Sequence, residues 1–84
     1  MYQVVIERRA EKDMGRLSAP IHRRVSDAIL ALASDPRPAG CRKLVGGSDD
    51  WRIRVGDYRV IYQIADTVRV VRVHRVRHRR EAYR

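Results

Sequence analysis

The sequence predicts an α+β fold, a small twisted and mostly antiparallel sheet with two N-terminal helices packed on one face. Three observations lead there. Apolar residues recur at helical spacing between about residues 8 and 32. Short β-branched runs with period-two alternation fill most of the second half of the chain. The 84 residues suffice for one domain with a single modest core, spanning 1–84.

Tyr2 to Ile6 is apolar and β-branched, which suits a first strand, placed here at the centre of the sheet. From about Arg8 to Leu17, Ala10, Met14 and Leu17 follow at spacings of four and three, the stripe of a short amphipathic helix. Ser18-Ala19-Pro20 supplies an N-cap candidate and a proline in a first helical turn, where a missing N–H costs little. Ile21, Val25, Ala28, Ile29 and Leu32 make the second stripe. Ser34 to Gly40, with two prolines, stops that helix.

Trp51 to Tyr62, WRIRVGDYRVIY, is the stretch around which the rest is arranged. Trp51, Ile53 and Val55 share one face of a strand, and Arg52 and Arg54 share the other. Beyond the Gly56-Asp57 turn, Tyr58, Val60, Tyr62 and Ile64 have one parity, with Arg59, Ile61 and Gln63 on the other. A register with Arg59 near Arg52 and Arg54 is available. Val68 to Val76 reads as a further strand whose facing the alternation leaves open, and the charged run Arg77 to Arg84 ends the chain.

Lys plus Arg number 19 against 10 Asp plus Glu, a formal charge of +9, and only Lys12 and Lys43 are lysines. Arginine favours bidentate phosphate contacts. A charge of this size attracts nucleic acid or an acidic protein, with strong salt dependence in the first case. Cys41 is the single cysteine, which excludes an intrachain disulfide and suits a reducing cytoplasm, and no Cys/His cluster has zinc spacing. No signal-peptide layout and no apolar run of about 18 to 20 residues is present, so a soluble, intracellular protein with no membrane partner is expected.

Gly-Asp-Tyr-Arg-Val-Ile-Tyr at 56–62 and His-Arg-Arg-Glu-Ala-Tyr at 78–83, in this order and after the Asp35-Pro36-Arg37 connector, resemble the RelE/ParE superfamily of type II toxins. The likeness is greater to its RelE-like branch of ribosome-dependent mRNA interferases. That resemblance implies a concave basic surface opposite the helices. It implies metal-independent cleavage of mRNA in the ribosomal A site, by attack of a ribose 2′-OH on the adjacent phosphate, with no cofactor. It also implies a cognate RelB-like antitoxin, with a toxin–antitoxin heterotetramer as one available assembly. By the same resemblance Arg59 contacts the scissile phosphate, Arg79 lies beside the leaving oxygen, and Tyr83 stacks on or orients a base. Arg52 and Arg54 take the places of a basic pair that is lysine in the best-known form. Arg42, Lys43, Arg77 and Arg80 are further candidates for RNA contacts.

Arginines can stabilise charge on phosphate but are poor bases. A neutral arginine at pH 7 costs about 7 kcal/mol or more. His78 is the first candidate for base or acid and Glu81 the second, with ribosomal RNA or the substrate as other sources. Each assignment has a structural counterpart. Arg52 and Arg54 also fit the solvated face of a strand, and His78 fits an exposed chain end. Trp51, Tyr58 and Tyr62 follow the core parity, and Tyr83 fits either a functional tip or a sheet-edge contact. His22 and His74 read as surface or strand positions and Cys41 as incidental. Three classes follow: mRNA endonuclease, ParE-like inhibitor of DNA gyrase, and antitoxin-binding module with weak or lost nuclease activity.

Overall fold

The computed structural model describes residues 1–46 and 49–81. Strand β1 (Gln3–Ile6) leads into helices α1 (Arg8–Gly15) and α2 (Ala19–Ala31), followed by strands β2 (Arg42–Lys43), β3 (Asp50–Val55), β4 (Tyr58–Ala65) and β5 (Val70–His78). One five-stranded sheet has the order β1-β5-β4-β3-β2. Three of its pairings are antiparallel, and β1 runs parallel to β5.

The first strand therefore lies at an edge, not at the centre. The two helices form the crossover that a parallel return requires, which delivers the chain to the far side of the sheet and leaves β5 to pair with β1 last. Ser18 does occupy the N-cap of α2 but makes no side-chain cap hydrogen bond, and Pro20 sits in the first turn. The final strand starts at Val70, after a turn in which Arg69 has φ 53°.

Ala10, Met14, Val25, Ile29 and Leu32 from the helices meet Ile53, Val55, Val60, Tyr62, Val71, Val73 and Val76 from the sheet in one core. Each fully buried aliphatic side chain contributes about 1.5 to 3 kcal/mol, so this layer carries most of the stability available to the domain. Tyr62 is fully buried and donates its hydroxyl to the Pro36 carbonyl at 2.8 Å, which fastens the connector to the sheet. Burial, followed by the neighbouring Cys41, pushes the Tyr62 hydroxyl well above its ordinary range. The connector is also held by Arg37, which donates to both Asp66 oxygens at 3.2 and 2.9 Å and lies 5.1 Å above the Trp51 ring.

The facing of β5 is decided by a register shift. Ile61 pairs with Arg75 and Tyr62 with Val73, so His74 is an extra residue with no partner across the ladder, a β-bulge. Val71 and Val73 before it and Val76 after it can then all reach the core.

Candidate nucleic-acid interface

The face opposite the helices is built by register. Arg54 of β3 pairs with Arg59 of β4, and Arg59 with Arg77 of β5, one row across three strands. One step along, Arg42, Arg52, Ile61 and Arg75 form a second row. The core row Ile53, Val60 and Val76 lies between them on the other face, as alternation demands. Like charges directly opposite one another on a ladder are destabilising. The two rows are a cost that the fold accepts.

Burial divides the arginines. Arg54 is exposed, whereas Arg52 and Arg59 are each only 7% accessible, so they are not a simple solvated face. Arg59 Nη1 donates to the carbonyls of Tyr58 at 3.0 Å and Gly56 at 3.5 Å. Its Nε is buried without a hydrogen-bond partner among the described residues. Such a donor costs about 1 to 3 kcal/mol and calls for an acceptor.

The Gly56-Asp57 turn gathers the site. Gly56 has φ 59°, the positive value that a two-residue hairpin loop takes at its first central position in a type II′ turn. The Arg79 N–H donates to the Asp57 carbonyl at 2.7 Å, and Arg79 Nε lies 4.0 Å from the Asp57 carboxylate. Arg59 and Arg79, 20 residues apart in the numbering, are thus fastened to adjacent carbonyls of one turn. From α2, the Arg24 guanidinium approaches the same turn, 3.5 Å from where a Cβ on Gly56 would stand. Arg24 carried no signal in the sequence, because it reads there as part of a solvated helix face.

His78 lies elsewhere. It pairs with Tyr58 in the row that includes Val55, on the helix side of the sheet, and its ring meets Tyr58 edge-on at 5.4 Å. Its Nδ1 accepts the Arg80 N–H at 3.3 Å. Arg77 pairs with Glu81 at 3.6 Å, and Lys43 with Asp49 at 3.7 Å. Arg42, Lys43, Arg79 and Arg80 are exposed, and Tyr83 lies outside the described residues.

The imidazole that shares the arginine face is His74, which follows the core-facing Val73 by ordinary alternation. His74 Nδ1–H donates to Glu7 Oε1 at 2.7 Å, and Nε2 lies 3.7 Å from Asp50 Oδ1. The hydrogen bond from His74 holds the Glu7 carboxyl below its ordinary range. No periodicity argument could have found this pair, because its two members are 67 residues apart and meet only through the parallel pairing of β1 with β5. Among the described residues no group of three or more His, Cys, Asp or Glu side chains is arranged to hold a metal ion. No described helix is long and apolar enough to cross a membrane.

A family model for the ParE toxin of type II toxin–antitoxin systems, parDE, matches residues 4–83. The chain belongs to the RelE/ParE superfamily of type II toxins. The toxin is similar to a chain of the archaeal RelE–RelB complex from Pyrococcus horikoshii, at 30% identity and TM-score 0.83, over 96% of this chain and 98% of that one. It is similar to a chain of the RelBE2 toxin–antitoxin complex from Mycobacterium tuberculosis, at 26% identity and TM-score 0.82, over 92% and 96% of the two chains. The isolated RelE toxin of E. coli matches at 26% identity and TM-score 0.78, over 93% of this chain and 84% of that one. A comparison with curated proteins found no match. The expected α+β architecture of two helices on a mixed sheet is that of these toxins.

Proposed function

We propose that the toxin is a ribosome-dependent mRNA endonuclease that arrests translation in the cytoplasm. The observation that carries this reading is Arg59, buried, tied with Arg79 to one turn, and holding an unused Nε donor in a row of arginines. A phosphodiester in the A site would lie along that row, with the fork of Arg59 on its non-bridging oxygens. Arg54 and Arg79 add charge as the phosphorane forms. Preorganised donors of this kind are each worth on the order of 10² to 10³ in rate.

The 2′-oxygen bonds to phosphorus as the bond to the 5′-oxygen breaks, leaving a 2′,3′-cyclic phosphate and a 5′-hydroxyl. The 2′-OH proton passes to a base supplied by ribosomal RNA or by the aligned substrate, and the 5′-oxygen takes a proton from water. His74, with Nδ1–H held by Glu7 and Nε2 buried 3.7 Å from Asp50 Oδ1, positions the arginine face. His74 supports the face of Arg59, whereas His78 lies on the helix side. A RelB-like antitoxin, acidic where it covers the arginine rows, would silence the site.

The test is expression without antitoxin, followed by primer extension on a translated reporter and its untranslated copy. Cuts confined to translated message, and lost with Arg59→Ala, are expected. Growth arrest with intact message and relaxed or cleaved DNA would instead assign the toxin to the gyrase inhibitors.

A further inference from the structure

Beyond the end of β1, which pairs with Val70 to Val73, no strand among the described residues covers the outer edge of β5. There the last turn of α1 and the end of β5 enclose a polar cavity of about 130 Å³ whose walls include Asp13, Arg16, Tyr58, Arg77, His78 and Glu81. Asp13 is already engaged. Its Oδ2 accepts Arg75 Nε at 2.8 Å and the Val76 N–H at 3.0 Å, and its Oδ1 accepts Arg75 Nη2 at 3.1 Å.

The remaining walls are rich in donors. Arg16, at the C-cap of α1, has no ion pair and Tyr58 Oη no hydrogen bond among the described residues. Because His78 Nδ1 accepts the Arg80 N–H, the neutral ring carries its proton on Nε2, another donor. Arg77 makes one ion pair among the described residues, with the exposed Glu81 at 3.6 Å and worth little, and attracts the already engaged Asp13 carboxylate only through space. Three donors without protein partners among the described residues, the exposed Arg16 included, and one loosely held guanidinium against a single displaceable carboxylate make a receptor for a tetrahedral oxyanion.

We infer that this cavity binds a phosphate group of the RNA strand neighbouring the one at Arg59, and that Glu81 competes for it by pairing with Arg77. Arg77 is the link, since it pairs with Arg59 in the ladder, with Cα atoms about 5 Å apart, and also lines the cavity. An RNA strand running along the Arg54, Arg59 and Arg77 row meets the uncovered edge of β5 next, where the cavity opens. The inference rests on the reading of this face as RNA-binding.

The test is heteronuclear NMR on the purified toxin, titrated with inorganic phosphate and separately with a 2′-O-methylated RNA trinucleotide that cannot be cleaved. The trinucleotide is expected to shift the His78 ring and the Arg16 and Arg77 Nε–Hε signals. Arg16→Gln should weaken its binding about tenfold while Arg8→Gln, an equal change of charge on the same helix, leaves it unchanged. Glu81→Gln should strengthen it severalfold. Shifts confined to residues around Gly56, equal effects of Arg16→Gln and Arg8→Gln, or a response to inorganic phosphate alone would overturn the inference. Cavity shifts from a toxin that cuts no message would sink the nuclease reading and leave the site standing. Cutting without cavity shifts would do the reverse.

Discussion

Arg54 and Arg59 face each other directly across the β3–β4 ladder, two guanidinium groups where a stable hairpin would carry opposite charges. On the proposed nuclease reading this pair serves the phosphate, and a trade of stability for activity follows. Arg54→Gln should raise stability by about 0.2 to 1 kcal/mol. That corresponds to a rise in melting temperature of a few degrees for a domain of this size. The gain should shrink at high salt, where the repulsion is screened. Message cleavage should fall at the same time, and a variant both less stable and equally active would refute the argument.

His74 and His78 can be separated kinetically. With its imidazole under the arginine face, Glu7 on Nδ1 and Nε2 buried beside Asp50, His74→Gln should lower the single-turnover rate of cleavage on programmed ribosomes about tenfold through lost positioning. His78→Gln, on the helix side, should weaken binding and leave the single-turnover rate at saturation little changed. Equal rate losses from both would remove the distinction.

Asp13 anchors α1 to β5 and titrates as an anchor should. Burial alone would raise its carboxyl, but hydrogen bonds from Arg75 and from the Val76 N–H outweigh burial and hold it below the ordinary carboxylate range. The folded state therefore prefers the charged form. Its contribution is complete above the ordinary range and is lost as pH falls through and below it. Asp13→Asn should cost about 2 to 3 kcal/mol at pH 7. In urea titrations the gap between wild type and variant should close below about pH 4.

Gly56 combines a left-handed backbone with the approach of Arg24. Gly56→Ala should cost about 1 to 2 kcal/mol from the backbone alone. Because both Arg59 and Arg79 bond to carbonyls of this turn, cleavage should drop by more than the loss of folded protein explains. Activity normalised to folded fraction checks this.

Much of the architecture was legible because it depends on local rules. The stripe of Ala10 and Met14, the alternation of Ile53 and Val55 with Arg52 and Arg54, and the Gly56-Asp57 turn each state their own geometry. What stayed hidden depends on long-range pairing. The edge place of β1 follows from the crossover and not from its composition. That Arg42 and Lys43 form an edge strand stayed hidden because a two-residue strand has no period to detect. Arg24 and His74 join the site only through tertiary contacts, while the arginines of the motif were visible because they alternate with core residues.

The extra residue in β5 has a consequence for how this chain can vary. It acts as a phase shift in an alternating code. Before it, odd-numbered valines face the helices, and after it the even-numbered Val76 does. Loss of that one residue would restore strict alternation, with Val71, Val73 and Val76 still toward the helices and Arg75 and Arg77 still on the other face. Insertion of a second one would instead have to be absorbed by a wider bulge or by turning one half of the strand over. Descendants of this chain can therefore shorten β5 at His74 and keep both faces, at the cost of the imidazole and its bond to Glu7.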